Sequence, residues 1–306
     1  MLAVLCPGQG AQTPGMLEPW LELDGVGAHL ASLSEATNVD LLTHGTASDA
    51  DTIRDTAIAQ PLLVAAALLS ARCVFSNGVP TGSVVAGHSV GEFGAAALAG
   101  VIAEEAALAL VTVRGAAMAA AAASSEPTSM AAVLGGEPEA VTAALAALDL
   151  TPANVNGGGQ VVAAGAKTAI SELVANPPER ARVIELQVAG AFHTRYMAPA
   201  IDALAAAASG ISPTQPTATL LSNADGDVVT NGDDALDRLV RQVANPVRWD
   251  LCMERMLELG VTGIIEVAPG GVLTGLAKRV MKGVPAVALK SPEDLDAARE
   301  LVEEHA

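Results

Sequence analysis

A chain of 306 residues is long enough for one large or two modest domains with a substantial core. Its formal net charge of −18 and its few aromatic residues (three Phe, two Trp, one Tyr) leave little basic surface for phosphates and few platforms for bases, which excludes nucleic acid as an expected partner. The three cysteines, Cys6, Cys73 and Cys252, lie far apart, match neither a disulfide framework nor a zinc site, and read as buried packing residues in a reducing compartment.

Leu2 to Cys6 is a short apolar run stopped by Pro7-Gly8, which predicts a buried strand. No basic residue precedes it, so it does not read as a signal peptide. In the loop Pro7-Gly8-Gln9-Gly10-Ala11-Gln12-Thr13 the alternating glycines let backbone N–H groups approach a ligand closely. It is not a P-loop, because no Gly-Lys-Ser/Thr follows. Residues 15 to 60 carry short helical patterns, and His29 and His44 within them read as surface or capping residues. Pro61 opens a helix through Phe75, in a first-turn position, with Asn77-Gly78 as its stop. The apolar run Pro61 to Ala71 is shorter than the roughly 20 residues that span a bilayer, so a soluble, cytoplasmic chain without a membrane partner is expected.

Ser83 to Gly94 then gives a short apolar strand, Gly87-His88-Ser89-Val90-Gly91, and an Ala-rich helix. This is a G-x-S-x-G nucleophile elbow, in which a tight strand-to-helix turn lifts a serine hydroxyl above the sheet edge. The helix N-terminus behind it suits developing negative charge. A second helix starts near Ala103 and runs to about Ala123, almost wholly apolar except for Arg114 in its middle. Such an arginine faces either solvent or a buried anion. Gly115 removes bulk beside it and Met118 lies one turn away on the same face.

Ser124 to Ser129 is a linker-like break. Strand-like Met130 to Leu134, helical Pro138 to Leu148, a Gly turn joining a strand at 155–163, helical Thr168 to Ala175 and strand-like Arg182 to Val188 follow, which suggests a small ferredoxin-like insert at 128–191 within a discontinuous domain of 1–127 and 192–306. His193 stands at the exit, where clefts form, whereas His88 should point away from its neighbour Ser89; His193 is therefore the candidate base. Beyond it come a strand at Thr217 to Ser222, a helix from Asp234, a strand at Gly263 to Val267, a helix at Leu273 to Met281, a strand at Pro285 to Leu289 and a helix from Pro292 to Glu304. The alternation implies an α/β fold with a mostly parallel sheet covered on both faces. No acid occurs from Val267 to Pro292, while Lys278, Arg279, Lys282 and Lys290 do, so an anionic partner could dock there; cations complementing a helix C-terminus are the alternative.

Seven motifs occur together in order: Gly8-Gln9-Gly10-Ala11-Gln12, Gly87-His88-Ser89-Val90-Gly91-Glu92, Arg114-Gly115 with Met118, Asn154-Val155-Asn156, Gly190-Ala191-Phe192-His193, Asn245-Pro246-Val247-Arg248-Trp249 and Glu266-Val267-Ala268-Pro269-Gly270. With them the whole chain resembles the malonyl-CoA:acyl-carrier-protein transacylases of fatty-acid synthesis and the related acyltransferase domains of polyketide synthases. The resemblance implies an α/β-hydrolase-like large domain with a ferredoxin-like insert, Ser89 as nucleophile and His193 as its base. It also implies the N–H groups of Gln9 and Val90 as oxyanion hole, the main-chain carbonyl of Gln242 as orienter of the histidine, and Arg114 as clamp for the malonyl carboxylate. Met118, Phe192 and Asn156 would line the substrate site, and Lys278, Arg279 and Lys282 would receive the carrier protein. Phe192 before the histidine and Val90 after the serine fall on the malonyl side of the family rather than the methylmalonyl side. Malonyl-CoA and a transiently bound acyl carrier protein are the implied partners, with no metal or cofactor, and no long apolar surface stripe suggests more than a monomer. On the elbow alone two other readings stay open, a serine thioesterase or esterase and a carrier-protein- or CoA-binding module in which Ser89 is structural.

Overall fold

The computed structural model describes residues 1–306. Leu2–Cys6, buried along its whole length, lies inside a six-stranded sheet between the parallel strands Gly263–Glu266 and Val84–Gly87. Ala286–Ala288 extends the sheet parallel beyond the former and Thr219–Leu221 parallel beyond the latter, and Val228–Val229 closes that edge antiparallel. Strands that are apolar on both sides need helices on both faces, and the two longest helices, Thr56–Val74 and Glu104–Ser124, pack side by side in the main core.

The first of these helices is longer than the apolar run that marks it in the sequence. Pro61 lies inside it rather than in its first turn, because Asp55 caps the helix by accepting the N–H of Ala57 at 2.8 Å. Both helices reach the length and apolarity at which a helix can cross a membrane, and here 72% and 44% of their most apolar windows are buried inside the protein. Asp55→Ala is expected to cost about 1 kcal/mol of stability, read as a lower midpoint in urea at unchanged slope; an unshifted midpoint would mean that packing alone sets this helix start.

Residues 128–185 build a second, antiparallel sheet. Its strands run Ala181–Glu185, Thr128–Gly135, Gln160–Ala166 and Thr151–Gly157 in hydrogen-bonded order. The helices Pro138–Ala147 and Lys167–Ala175 cover one face with their own small core, which includes Val133, Leu145 and Ile170. The Gly turn of the sequence is a hairpin: Gly157, Gly158 and Gly159 all have positive φ, so one strand expected there becomes two. The last strand stops at Glu185, short of Val188.

A fifth strand comes from far along the chain. Val247–Arg248 pairs parallel with Thr151–Gly157 and ties the second sheet to the rest of the molecule. Two residues carry no periodicity, which is why this strand escapes a sequence reading. Cys6 and Cys252 are buried as expected, but Cys73 is only half-buried, since it sits in the last turn of its helix where the chain returns to the surface.

Candidate active site

The elbow is built where Val84–Gly87 meets the helix Gly91–Leu98. A Cβ on Gly87 would lie 2.0 Å from the carbonyl carbon of Gly91, and one on Gly91 would lie 2.2 Å from the carbonyl oxygen of Cys6. Both contacts are with backbone that cannot move aside, so only glycine fits at either position. Ser89 between them has a φ of 54°, a conformation that side-chain-bearing residues adopt rarely and at some cost. Asn223 braces the turn from outside it: its Oδ1 accepts the N–H of Ser89 at 2.8 Å and its Nδ2 donates to the carbonyl of Gly87 at 2.8 Å.

Ser89 Oγ lies 2.7 Å from Nε2 of His193. On the other side of the ring, Nδ1 lies 2.9 Å from the main-chain carbonyl of Gln242. A carbonyl can only accept, so Nδ1 carries the proton and Nε2 presents its lone pair to the serine hydroxyl. No carboxylate touches the imidazole. Burial, and then the charge of Arg114, push the His193 pKa down to about 3, which keeps the ring neutral. His88 stands one residue past the end of the strand and makes no bond to Ser89: Nε2 meets Asn156 Oδ1 at 2.9 Å, the ring packs edge-on against Trp249, and the residue lines the same cavity as the serine.

Arg114 is only 1% exposed, so it does not face solvent. Nη1 donates to Gln60 Oε1 at 2.7 Å and Nη2 to Gln242 Oε1 at 2.8 Å, while Nη2 also stands 3.4 Å from Ser89 Oγ. The guanidinium sits 5.7 Å from the ring centroid of Phe93. Its Nε has no partner and no carboxylate pairs with it, and burial lowers its pKa to about 10. A guanidinium held by neutral amides beside a nucleophile has charge and donors to spare for an anion. Met118 sets the orientation of Gln60, whose Nε2 points at Met118 Sδ at 3.5 Å and so leaves Oε1 for the arginine.

Gln9, Ser89, Arg114, Met118, Asn156, Phe192 and His193 line one cavity of about 440 Å³. The N–H groups of Gln9 and Val90 donate to no group of the protein. Asn156 reaches the cavity through its bonds to His88 and to Gln160. Lys278, Arg279 and Lys282 stand outside the cavity, exposed and without ion pairs, on or just after the helix Val272–Val280, whose Leu273 and Leu276 form part of the cavity wall. Three residues that hold the site went unassigned in the sequence: Gln60, at the end of the stretch of short helical patterns; Asn223, just past the strand expected to end at Ser222; and Glu92, which stands in the elbow string itself.

A family model described as the acyl transferase domain matches residues 4–293. A curated malonyl CoA-acyl carrier protein transacylase of Mycobacterium tuberculosis is 54% identical over 301 residues, covering 97% of this chain and 98% of that protein. The crystal structure of MCAT from Mycobacterium tuberculosis superposes with a TM-score of 0.93 at 53% identity, covering 98% of this chain and 99% of that one. A malonyl-transacylase solved in complex with a type II PKS acyl-carrier protein gives a TM-score of 0.89 at 33% identity, with 98% and 99% covered.

Proposed function

The chain belongs to the acyl transferase domain family, and on that premise we propose that it carries a malonyl group from coenzyme A to the pantetheine thiol of an acyl carrier protein through an ester on Ser89. The observation that carries this reading is Arg114, a buried cation without an ionic partner within 3.4 Å of the nucleophile. It supplies what a substrate with a free carboxylate needs and what a simple acyl group does not.

Neutral His193 takes the Ser89 proton as Oγ attacks the thioester carbonyl. The oxyanion is received by the unengaged N–H groups of Gln9 and Val90, each worth roughly 3–4 kcal/mol in such a position. His193 then returns the proton to the departing thiolate of coenzyme A. The carrier's thiol reverses both steps, losing its proton to His193 as its sulfur attacks the ester and Ser89 leaves. Phe192 crowds the space beside the base, where an α-methyl would sit; discrimination of this kind is worth about 1–3 kcal/mol.

In the same reading the molecule is an α/β-hydrolase-like domain, 1–127 and 192–306, carrying a ferredoxin-like insert at 128–191. The order strand-helix-strand-strand-helix-strand and the antiparallel pairing of the insert support that description. The carrier docks on Lys278, Arg279 and Lys282. None of the three is neutralised by a neighbour on a chain of net charge −18, and their helix runs from the cavity wall to the surface. Replacing all three with Ser is expected to raise KM for the carrier protein several-fold and flatten its salt dependence, with KM for malonyl-CoA unchanged. An unchanged salt slope would move the docking surface elsewhere.

The reading is tested by incubating the protein with malonyl-CoA and mapping the modified peptide. A malonyl adduct on Ser89 that is discharged faster by holo carrier protein than by water is the expected result. An adduct on another residue, or discharge by water at the same rate, would overturn it in favour of a hydrolase or a binding module.

A further inference from the structure

We propose that Glu92, in its ionised form, is a positioning residue for acyl transfer: it fixes the side chain of Gln242 and the backbone of Asn223, and through them holds nucleophile, base and arginine in register. The inference rests on the acyl-transfer reading of the site. Glu92 touches neither the cavity nor any reacting atom, and it is 5% exposed. A carboxylate so deep is tolerable only when its oxygens are engaged. Oε1 accepts the N–H of Asn223 at 2.7 Å, and Oε2 accepts from Nε2 of Gln242.

Gln242 is the hub that this bond controls. Its Nε2 also donates to the carbonyl of Ser89 at 2.9 Å, its Oε1 receives Arg114, and its main-chain carbonyl orients His193. An amide can be flipped end for end, and each end here has a required partner. Flipped, Gln242 would set its oxygen against the Glu92 carboxylate and its NH₂ against the guanidinium, two repulsions at once. The negative charge of Glu92 thus dictates which end of the amide faces Arg114. On its other side the same carboxylate holds the residue whose amide braces the elbow across Gly87 and Ser89.

A proton on Glu92 undoes this arrangement. On Oε2 it would confront the N–H of Gln242, and on Oε1 that of Asn223; either way a buried donor loses its acceptor. The groups that face Glu92 act in opposite directions. Burial raises its pKa to about 7, while its two N–H donors and the charges of Arg114 and Arg238 work to lower it. Arg238 is itself engaged with Asp225 and Asp234, and Cys252, also nearby, is held as the neutral thiol by burial. His193, on the far side of Gln242, is neutral down to about pH 3. An acid limb near neutral pH in kcat/KM that Glu92→Gln abolishes therefore belongs to Glu92 and not to the base or to the phosphate of coenzyme A, which the substitution leaves unchanged.

Glu92→Gln keeps shape and removes the charge. Single-turnover acylation of Ser89 by malonyl-CoA is expected to fall roughly 10²-fold, in kcat more than in KM, with the acid limb of the wild type absent between about pH 6 and 8. A folded Glu92→Gln that acylates at the wild-type rate, or that keeps the limb, overturns the proposal. So does a wild type whose kcat/KM is flat over that range. Should Glu92→Gln not fold, Glu92→Asp serves: the carboxylate, withdrawn by one methylene, is expected to keep the limb and lose rate, and an undiminished rate would overturn the proposal equally. A wild type that forms no adduct on Ser89 would instead remove the acyl-transfer reading itself.

Discussion

Replacing His193 with alanine is expected to slow acylation of Ser89 by on the order of 10⁴–10⁶-fold, with the affinity for malonyl-CoA changed by no more than a few-fold. The imidazole is the only group placed to take the hydroxyl proton, at 2.7 Å, and it is pre-set for that task by a carbonyl that can bond only its protonated Nδ1. Its backbone, with a φ of 60°, is held in a conformation that a histidine adopts at a cost, an indication that the fold fixes the ring's position. Rapid-quench measurement of the malonyl-serine adduct checks the prediction, and a loss below tenfold would show that a different group accepts the proton. Burial adds a consequence for stability. The folded pKa of about 3 lies below the ordinary histidine value of 6.5, so the unfolded chain binds a proton that the folded chain refuses, and stability falls as pH drops from about 6.5 toward 3. His193→Ala should therefore lose less stability than the wild type over that interval, measured by urea midpoints at a series of pH values.

The parts of this site that the sequence displays are those made by short-range necessity. The elbow is legible because two glycines must flank Ser89 in a turn that admits no Cβ, and the requirement is written within five consecutive residues. Arg114 is conspicuous because a cation in an apolar helix demands an explanation. Gln60, Asn223 and Glu92 offer no such mark. Gln60 meets Arg114 across 54 positions, and Asn223 meets Ser89 across 134, and nothing local in an amide betrays a distant partner. The same distinction holds for the fold. Long periodic helices and buried strands are visible, whereas the two-residue strand Val247–Arg248 exists only because Thr151–Gly157 offers it an edge. Pro61 misleads as a helix start because Asp55, six residues earlier, supplies a stronger one.

Arg114→Ala is expected to reduce malonyl transfer by about 10²–10⁴-fold while acetyl transfer changes by less than about tenfold, since two charge-assisted bonds to a carboxylate are worth about 1.5–3 kcal/mol each and an acetyl group makes neither. The arginine does more than hold the substrate. Its charge is the second cause, after burial, of the depressed pKa of His193, and a base with a pKa of about 3 is a weak one. A malonyl carboxylate arriving at Arg114 neutralises that charge and raises the basicity of His193, so that the substrate which binds the clamp also prepares the base. An acetyl thioester cannot do this. In Arg114→Ala the suppression is lifted permanently: the His193 pKa rises, and Glu92, deprived of a favourable cation, titrates higher as well. The acid limb of acetyl transfer should consequently move to higher pH in the variant, with the rate at the alkaline plateau equal to or above that of the wild type. Equal losses for malonyl and acetyl would refute the clamp. An acid limb that stays in place would show that the charge of Arg114 does not reach Glu92, leaving Arg114 as a binder of carboxylate without influence on the group that sets the limb.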